Sequence, residues 1–196
     1  ANRLNMLCDN ILLASQLDGK AYQESRIENN LSDLVEGCID SFKQHYPLRL
    51  VTEQIEPTLY LDGETLLLQM LVNNLLENAH KYAPQDTEIK VILAAYGKHV
   101  KLEVMDSGKG IPDTEKSKIF EKFYRIGSEA TRNTKGTGLG LYLCKKIAEN
   151  HELKGDVYPN VNEALSAFKE RAKEGDIIVV CGSIFVVGEV DRKRFA

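Results

Sequence analysis

The chain has 196 residues, enough for one large domain or for one domain with an appendage. Hydrophobic residues make up 43% and charged residues 28%, an ordinary soluble balance, and the net charge of −4 leaves no basic footprint for nucleic acid. No apolar run approaches the ~18 residues of a membrane span, no secretory signal is visible, and Cys8, Cys38, Cys144 and Cys181 lack the C-x-x-C spacing of a zinc site or the pattern of a disulfide framework. A reduced, cytoplasmic setting is expected. The chain begins at Ala1 in what reads as mid-helix, without Met, so an excised segment is also expected.

Leu4, Leu7, Ile11 and Ala14 recur at i, i+3, i+7 and i+10 in residues 1–18, and Leu12, Leu13 and Leu17 widen the stripe, which predicts an amphipathic helix. So wide a stripe needs a cover. Packing on its own domain and dimerisation through a helical bundle are both open, the polar residues 19–25 favouring the second. Residues 26–30 suit a short strand. Ser32 reads as the N-cap of a helix through Tyr46, with Asp33 in its first turn, Leu34, Cys38, Ile39 and Phe42 inward, and Pro47 ending it. Residues 49–55 alternate like a half-buried strand. Residues 59–61 make another extended piece, and Asp62 is the expected cap of the helix that follows.

That helix, residues 63–82, is apolar enough to be central, yet it carries Asn74 and Asn78 on one face with Lys81 three residues further on. Glu77 is set to pair with Lys81 at i+4. Asparagine is a poor helix former, so two of them on a buried-looking helix point to use; the bland alternative is a solvated stripe. Residues 88–95 and 99–105 read as strands joined by a Tyr-Gly-Lys turn, an antiparallel hairpin that delivers Asp106. Residues 119–124 make a short amphipathic turn. Residues 127–135 are polar and lack apolar anchors, as a mobile loop would. Gly136, Gly138 and Gly140 then open a helix over residues 141–150.

The densest signal runs from Asp106 to Lys146: DSGKGIP, FEKFYRIG and TKGTGLGLYLCKK. An acid at a strand end, followed by two glycine clusters of which the second opens a helix, suggests a nucleotide site. Together with NNLLENAHKYAP upstream, these motifs resemble the ATP-binding catalytic domain of sensor histidine kinases, in the wider group that includes gyrase and the chaperone Hsp90. The resemblance covers roughly residues 1–151. It implies an α/β (α+β) two-layer sandwich of Bergerat type, with helices on one face of a mixed sheet and ATP held with Mg²⁺ between helices and a lid.

Asp106 is placed to accept a hydrogen bond from the exocyclic amine of adenine, a task that suits a carboxylate at a strand end and that the resemblance also implies. Gly108 and Gly110 would allow positive φ and close approach to the base, with Ile111 beside them. The resemblance further implies that Asn78 holds Mg²⁺ through its side-chain oxygen, a donor that suits this ion, and Asn74 matches the family's second asparagine. Lys81 and Tyr82 would contact phosphate and the nucleotide edge, and Arg125 the γ-phosphate. Phe120 and Phe123 are lid-base hydrophobes or plain core. Lys135, Gly136, Thr137, Gly138, Leu139 and Gly140 would line the phosphates with backbone N–H groups and a helix N-terminus. In hydrolysing relatives a glutamate one turn before the metal asparagine activates water. Here that position is Asn74, and Glu77 lies about 100° round the helix. Phosphoryl transfer from ATP to a protein histidine is therefore expected in place of hydrolysis, with Asn74, Lys81 and Arg125 as the catalytic group, acting by positioning and charge neutralisation.

Two departures stand out. No H-E-x-x-x-P-L phosphoacceptor motif is present, so transfer is expected only in trans, to a separately supplied histidine domain. His151 in HELKG lacks the Pro-Leu and is not expected to serve, and His80 reads as helix surface. Past residue 151 the family continues as a hairpin, whereas here residues 157–158, 161–173 and 176–181 read as strand, helix and strand, implying a parallel pair. This segment resembles the C-terminal end of folylpolyglutamate synthases, of the Mur-ligase group, without that family's ATP-site residues. The expected division is residues 1–20 as the remnant of a dimerisation helix, 21–151 as the ATP-binding domain and 152–196 as a tail completing the same sheet. Two families meeting in one sheet suggest an engineered or selected chimera; a divergent kinase and a fusion with a separate subdomain are the alternatives. The competing class is a folding or design protein with inherited motifs, residual or no nucleotide binding and no enzymatic activity.

Overall fold

The computed structural model describes residues 2–19, 22, 25–96, 99–126, 136–151 and 177–183. Alternation along β4 (Ile89–Tyr96) orients the rest: Ile89, Val91 and Leu93 are fully buried, while Lys90, Ile92 and Ala94 are half exposed, the period of two that a pleated strand imposes. The sheet order is β2 (Val51–Ile55), β4, β5 (His99–Asp106) and β6 (Ile177–Ser183). β2 runs parallel to β4 with Val51 opposite Ile89, and β5 runs antiparallel to β4 with Lys90 opposite Met105. β6 pairs parallel with β5 at the sheet edge, Asp106 opposite Ser183. β1 (Ile27–Asn30) and β3 (Tyr60–Gly63) form a separate antiparallel pair. The mixed sheet and its helical cover are those of the expected two-layer α/β fold.

Five helices are described: α1 (Asn2–Asp18), α2 (Leu31–His45), α3 (Thr65–Tyr82), the short α4 (Asp113–Lys116), which the sequence reading missed, and α5 (Gly140–Asn150). α2 rests on β2, α3 on β4 and β5, α5 on α3, and α1 on α5. α3 buries Leu67, Leu68, Leu71, Val72, Leu75, Leu76 and Ala79. Full burial of an aliphatic side chain stabilises by about 1.5–3 kcal/mol, whereas an asparagine costs under about 1 kcal/mol in helix propensity. Packing therefore carries Asn74 and Asn78 with ease.

Several local expectations are corrected. The N-cap of α2 is Asn30, which accepts from the Asp33 N–H at 3.4 Å and donates to Asp33 Oδ2 at 2.7 Å. Ser32 is instead buried in the first turn, donating to the Glu56 carbonyl and accepting from the Leu59 N–H. Asp62 lies in β3, and the N-cap of α3 is Glu64. In α1, Ala14 and Leu17 are buried and Leu7 and Leu13 pack against the core, but Ile11 and Leu12 face outward, 42% and 59% exposed. The end of α1 thus packs on its own domain. Asp18 secures it, accepting from the Tyr142 hydroxyl and pairing with Lys122 and, at 3.6 Å, Lys146. The expected loop over 127–135 and the strand and helix over 157–173 lie outside the described residues.

His151 closes α5 and ties it to α3. Its Nδ1–H donates to the Ile147 carbonyl at 2.9 Å, and its Nε2 accepts from the Glu64 N–H at 3.0 Å, which fixes one neutral tautomer. The ring is 7% exposed and lies so close to Gly63 that a Cβ there would meet Cδ2 at 2.8 Å. Both nitrogens are occupied with structure. Replacing His151 by Ala leaves the Glu64 N–H without its partner and empties the space beside Gly63, so urea unfolding is expected to show a loss of about 1–3 kcal/mol; an unchanged midpoint would contradict this role.

Candidate functional site

The last two turns of α3, the end of β5 and the approach to α5 converge. Asn74 and Asn78 both face Gly140: a Cβ there would lie 3.0 Å from Asn74 Oδ1 and 3.9 Å from Asn78 Nδ2. Asn74 Nδ2–H donates to the Met70 carbonyl at 2.9 Å, a bond one turn back that leaves Oδ1 toward Gly140. Asn78 Nδ2 is buried without a hydrogen-bond partner among the described residues. Such a group costs about 1–3 kcal/mol, and a half-turn of the amide presents Oδ1 in its place. The Lys81 ammonium occupies the space beside Gly136, where a Cβ would lie 2.2 Å from Nζ. It also donates to the Tyr82 hydroxyl at 3.0 Å and lies 4.6 Å from that ring's centroid. The expected Glu77–Lys81 pair is not formed, because Glu77 instead accepts from the Tyr46 hydroxyl at 3.1 Å.

Residues 136–140 form a backbone cradle. Gly138 has φ +74°, and a Cβ there would meet the Phe123 carbonyl carbon at 2.6 Å, so only glycine fits. The Phe123 N–H donates to the Gly138 carbonyl at 3.0 Å, and Phe123 itself holds φ +61°, a strained conformation for an aromatic residue. The Phe123 ring is 56% exposed, which excludes the plain-core reading; Phe120 is half-buried. Thr137 Oγ1 accepts from the Leu139 N–H at 3.3 Å. Leu139 is the N-cap of α5 but makes no side-chain cap. Its side chain is fully buried in the core, so it offers the site only its backbone. The uncapped start of α5 leaves first-turn N–H groups available to an anion. Arg125 is half-buried just beyond the Phe123 turn, and Lys135 lies outside the described residues.

Asp106 ends β5 on the inward face, level with Ile89 and Val51 in the same row of the sheet. Its Oδ1 accepts from the Gly108 N–H at 2.6 Å, closing an Asx turn. That turn and a ligand-binding role share the same carboxylate. Gly108 is there for space, since a Cβ would lie 3.0 Å from the Tyr82 carbonyl oxygen; of the two glycines, Gly110 is the one with positive φ, +70°. Ile111 follows, half-buried. Burial pushes the Asp106 carboxyl above its ordinary range, opposed by the Gly108 N–H and the nearby Arg49 guanidinium. The sequence reading passed over Arg49 as a strand residue, although an arginine between Leu48 and Leu50 was the available signal. His80, expected on the surface, is half-buried and stacked on Tyr46 at 4.0 Å between ring centroids.

One end of this site offers backbone N–H groups, an ammonium and carboxamides, which suit a polyphosphate. The other offers a half-buried acceptor beside close-packed glycines, which suits a flat ring bearing an amine. Among the described residues no group of three or more His, Cys, Asp or Glu side chains is placed to hold a metal. A hard divalent ion there would take an oxygen from Asn78 and further oxygens from a phosphate ligand, and the unpartnered amide fits that demand.

Comparison with known proteins gives a consistent picture. The family model "Histidine kinase-, DNA gyrase B-, and HSP90-like ATPase" matches residues 63–184. The match crosses residue 151 and includes β6, so it extends past the end of the resemblance read from sequence. The sensor protein kinase PmrB of Pseudomonas aeruginosa is 34% identical over 150 residues, 76% of this chain and 31% of that protein. The chain therefore spans about a third of the length of that relative. Among solved structures, the mycobacterial sensor histidine kinase MprB aligns with a TM-score of 0.57 at 23% identity, covering 65% of this chain and 80% of that one. Full-length ShkA, solved in complex with AMPPNP, aligns with a TM-score of 0.63 at 19% identity over 79% of this chain and 33% of that one. At these identities the structures speak to the fold.

The raised Asp106 carboxyl has a consequence for stability. Its folded-state value lies above the ~3.9 of an unfolded chain. Folding is therefore favoured most below the unfolded value and loses stability as pH rises through the folded one. Asp106→Asn keeps the Asx turn and removes the half-buried charge. In thermal unfolding without ligand, this variant is expected to exceed the parent at about pH 7.5, the gain shrinking toward about pH 3. A variant less stable than the parent at the higher pH would refute the assignment.

Proposed function

Because the chain belongs to the histidine kinase-, DNA gyrase B- and HSP90-like ATPase family, we propose that it is the ATP-binding catalytic domain of a sensor histidine kinase. The observation that carries this reading is the buried, unpartnered amide of Asn78 facing the uncapped start of α5.

In this reading Asp106 accepts from the adenine amine, and Gly108, Gly110 and Ile111 line the base. Tyr82, half exposed beside Lys81, borders the nucleotide edge. Lys81 and the N–H groups of residues 136–140 neutralise and orient the phosphates. Arg125 and Lys135 are assigned to the γ-phosphate end from the motif alone, and Phe123 to the lid base. Asn78 would hold Mg²⁺ with phosphate oxygens, where the ion supplies charge neutralisation. Asn74, carrying no base, positions a neighbouring phosphate or ligand water and leaves water unactivated. Glu77 lies on another face, held by Tyr46. A neutral imidazole nitrogen needs no deprotonation to attack: the bond from the γ-phosphorus to the β,γ-bridging oxygen breaks, a P–N bond forms and ADP leaves. Residues 1–196 contain no H-E-x-x-x-P-L, and His151 has both nitrogens occupied, so in this reading the acceptor histidine lies outside these residues and is presented to the site from elsewhere.

We further assign residues 1–20 to a helix that continues into a dimerising bundle, for which outward Ile11 and Leu12 are the support. Residues 21–151 hold the site and residues 152–196 form a tail. The family match across that boundary supports one continuous domain over a junction of two families. No helix among the described residues is long and apolar enough to cross a membrane, and the reading places this domain in the cytoplasm.

Mixing the protein with a separate phosphoacceptor domain and γ-labelled ATP is expected to yield acid-labile phosphate on the acceptor, with little free phosphate. Fast phosphate release without labelling, or no saturable binding at millimolar nucleotide, would overturn the proposal. Asn78→Ala is expected to abolish the Mg²⁺-dependent gain in ATP affinity, at least tenfold or about 1.4 kcal/mol, measured by titration with and without chelator.

A further inference from the structure

Arg49 sits between α2 and β2, with its N–H donating to the Tyr46 carbonyl at 3.0 Å. It is 5% exposed, which is rare for an arginine. Nη1–H donates to the Pro84 carbonyl just past the C-terminus of α3, while Nε and Nη2 are buried with no partner among the described residues. A staple to Pro84 needs one donor. The other two, and the charge, are left without a structural use.

The sheet register says what lies beside them. Val51, Ile89 and Asp106 form one cross-strand row on the inward face, two spacings of ~4.8 Å wide. Arg49 is two residues ahead of Val51, next to the same row. The guanidinium acts electrostatically on Asp106 and on Asp86, and burial first and this charge second hold the His80 imidazole below its ordinary range. Among the described residues it is the charge that acts on Asp106.

We infer that Arg49 is a positioning residue for adenine recognition, its buried guanidinium, set beside the cross-strand row that ends in Asp106, keeping that half-buried carboxylate charged for the base. The inference rests on the nucleotide reading above. The logic is one of opposed effects: burial favours the neutral acid, a weaker acceptor for an amine, and a fixed cation behind it restores the carboxylate. Asp86, beyond α3, and His80, on α3, are the other titratable groups facing Arg49.

The test compares the parent with Arg49→Met and Arg49→Lys. The Asp106 carboxyl is titrated by carbon NMR without nucleotide, and ATP affinity is measured from about pH 5 to pH 8. In Arg49→Met the Asp106 midpoint is expected to rise by about one pH unit, a tenfold change in proton affinity. ATP affinity should fall most at the acid end and recover toward the alkaline end. Arg49→Lys, which keeps the charge, is expected to titrate like the parent, and it carries the test if the Met variant does not fold. An unmoved midpoint in Arg49→Met, or an affinity loss equal at every pH, would overturn the inference, as would a Lys variant whose midpoint rises as far as that of Met. A parent that binds no ATP would sink the nucleotide reading and the adenine role together, while the carboxyl titration would still report on the Arg49–Asp106 pair.

Discussion

The packing of α3 against the sheet is the constraint on which the site depends. Its buried leucines and Val72 seat the helix over β4 and β5, and that seating decides where its polar face ends up. Asn74 and Asn78 then meet Gly140, Lys81 meets Gly136, and the Tyr82 carbonyl meets Gly108. A slip of the helix by one residue would turn this face by about 100° and break all three meetings together. Stability and function are carried by opposite sides of one element, so core variants of α3 act on binding through position.

The glycines read as imprints of that helix. Gly136 and Gly140 are small because Lys81 and Asn74 occupy the space a Cβ would need, and Gly108 because a carbonyl passes by. Gly138 alone in the second cluster is required by its backbone dihedral. Phe123 shares its strain, since the two segments are clasped by a backbone hydrogen bond. Strain of this kind is held where the surrounding structure over-determines it, here where the turn at Phe123 meets the approach to α5. Asp18 connects the same region to α1 through Lys122, with Tyr142 and Lys146 on α5 completing the cluster. The last turn of α1, the Lys122 segment and α5 are thereby tied together.

Much of the site was legible from residue types. Asp106 at a strand end, paired asparagines on an apolar helix and glycines before a helix each stand out, because none is what local propensity or packing alone would choose there. What failed was local and followed from competition between near-equal partners. Asn30 outcompeted Ser32 as a cap because Ser32 was drawn to Glu56 and Leu59, residues distant in sequence. Glu77 turned from Lys81 to Tyr46 for the same reason: an i,i+4 pair is worth only a few tenths of a kcal/mol, too little to resist a tertiary hydrogen bond. His151, read from sequence only as not expected to accept phosphate, is the link between α5 and the start of α3.

Sequence alone therefore determined the long helices, the hairpin of β4 and β5, and the family of chemistry. These depend on periodicity and on residues whose cost is visible at once. Tertiary structure alone decided that Leu139 serves through its backbone, that Ile11 and Leu12 face outward while Ala14 and Leu17 are buried, and that Arg49 is buried near Asp106. Each is a fact about which surfaces meet. A period of 3.6 or of 2 says which residues share a face, but only packing says what that face is turned toward.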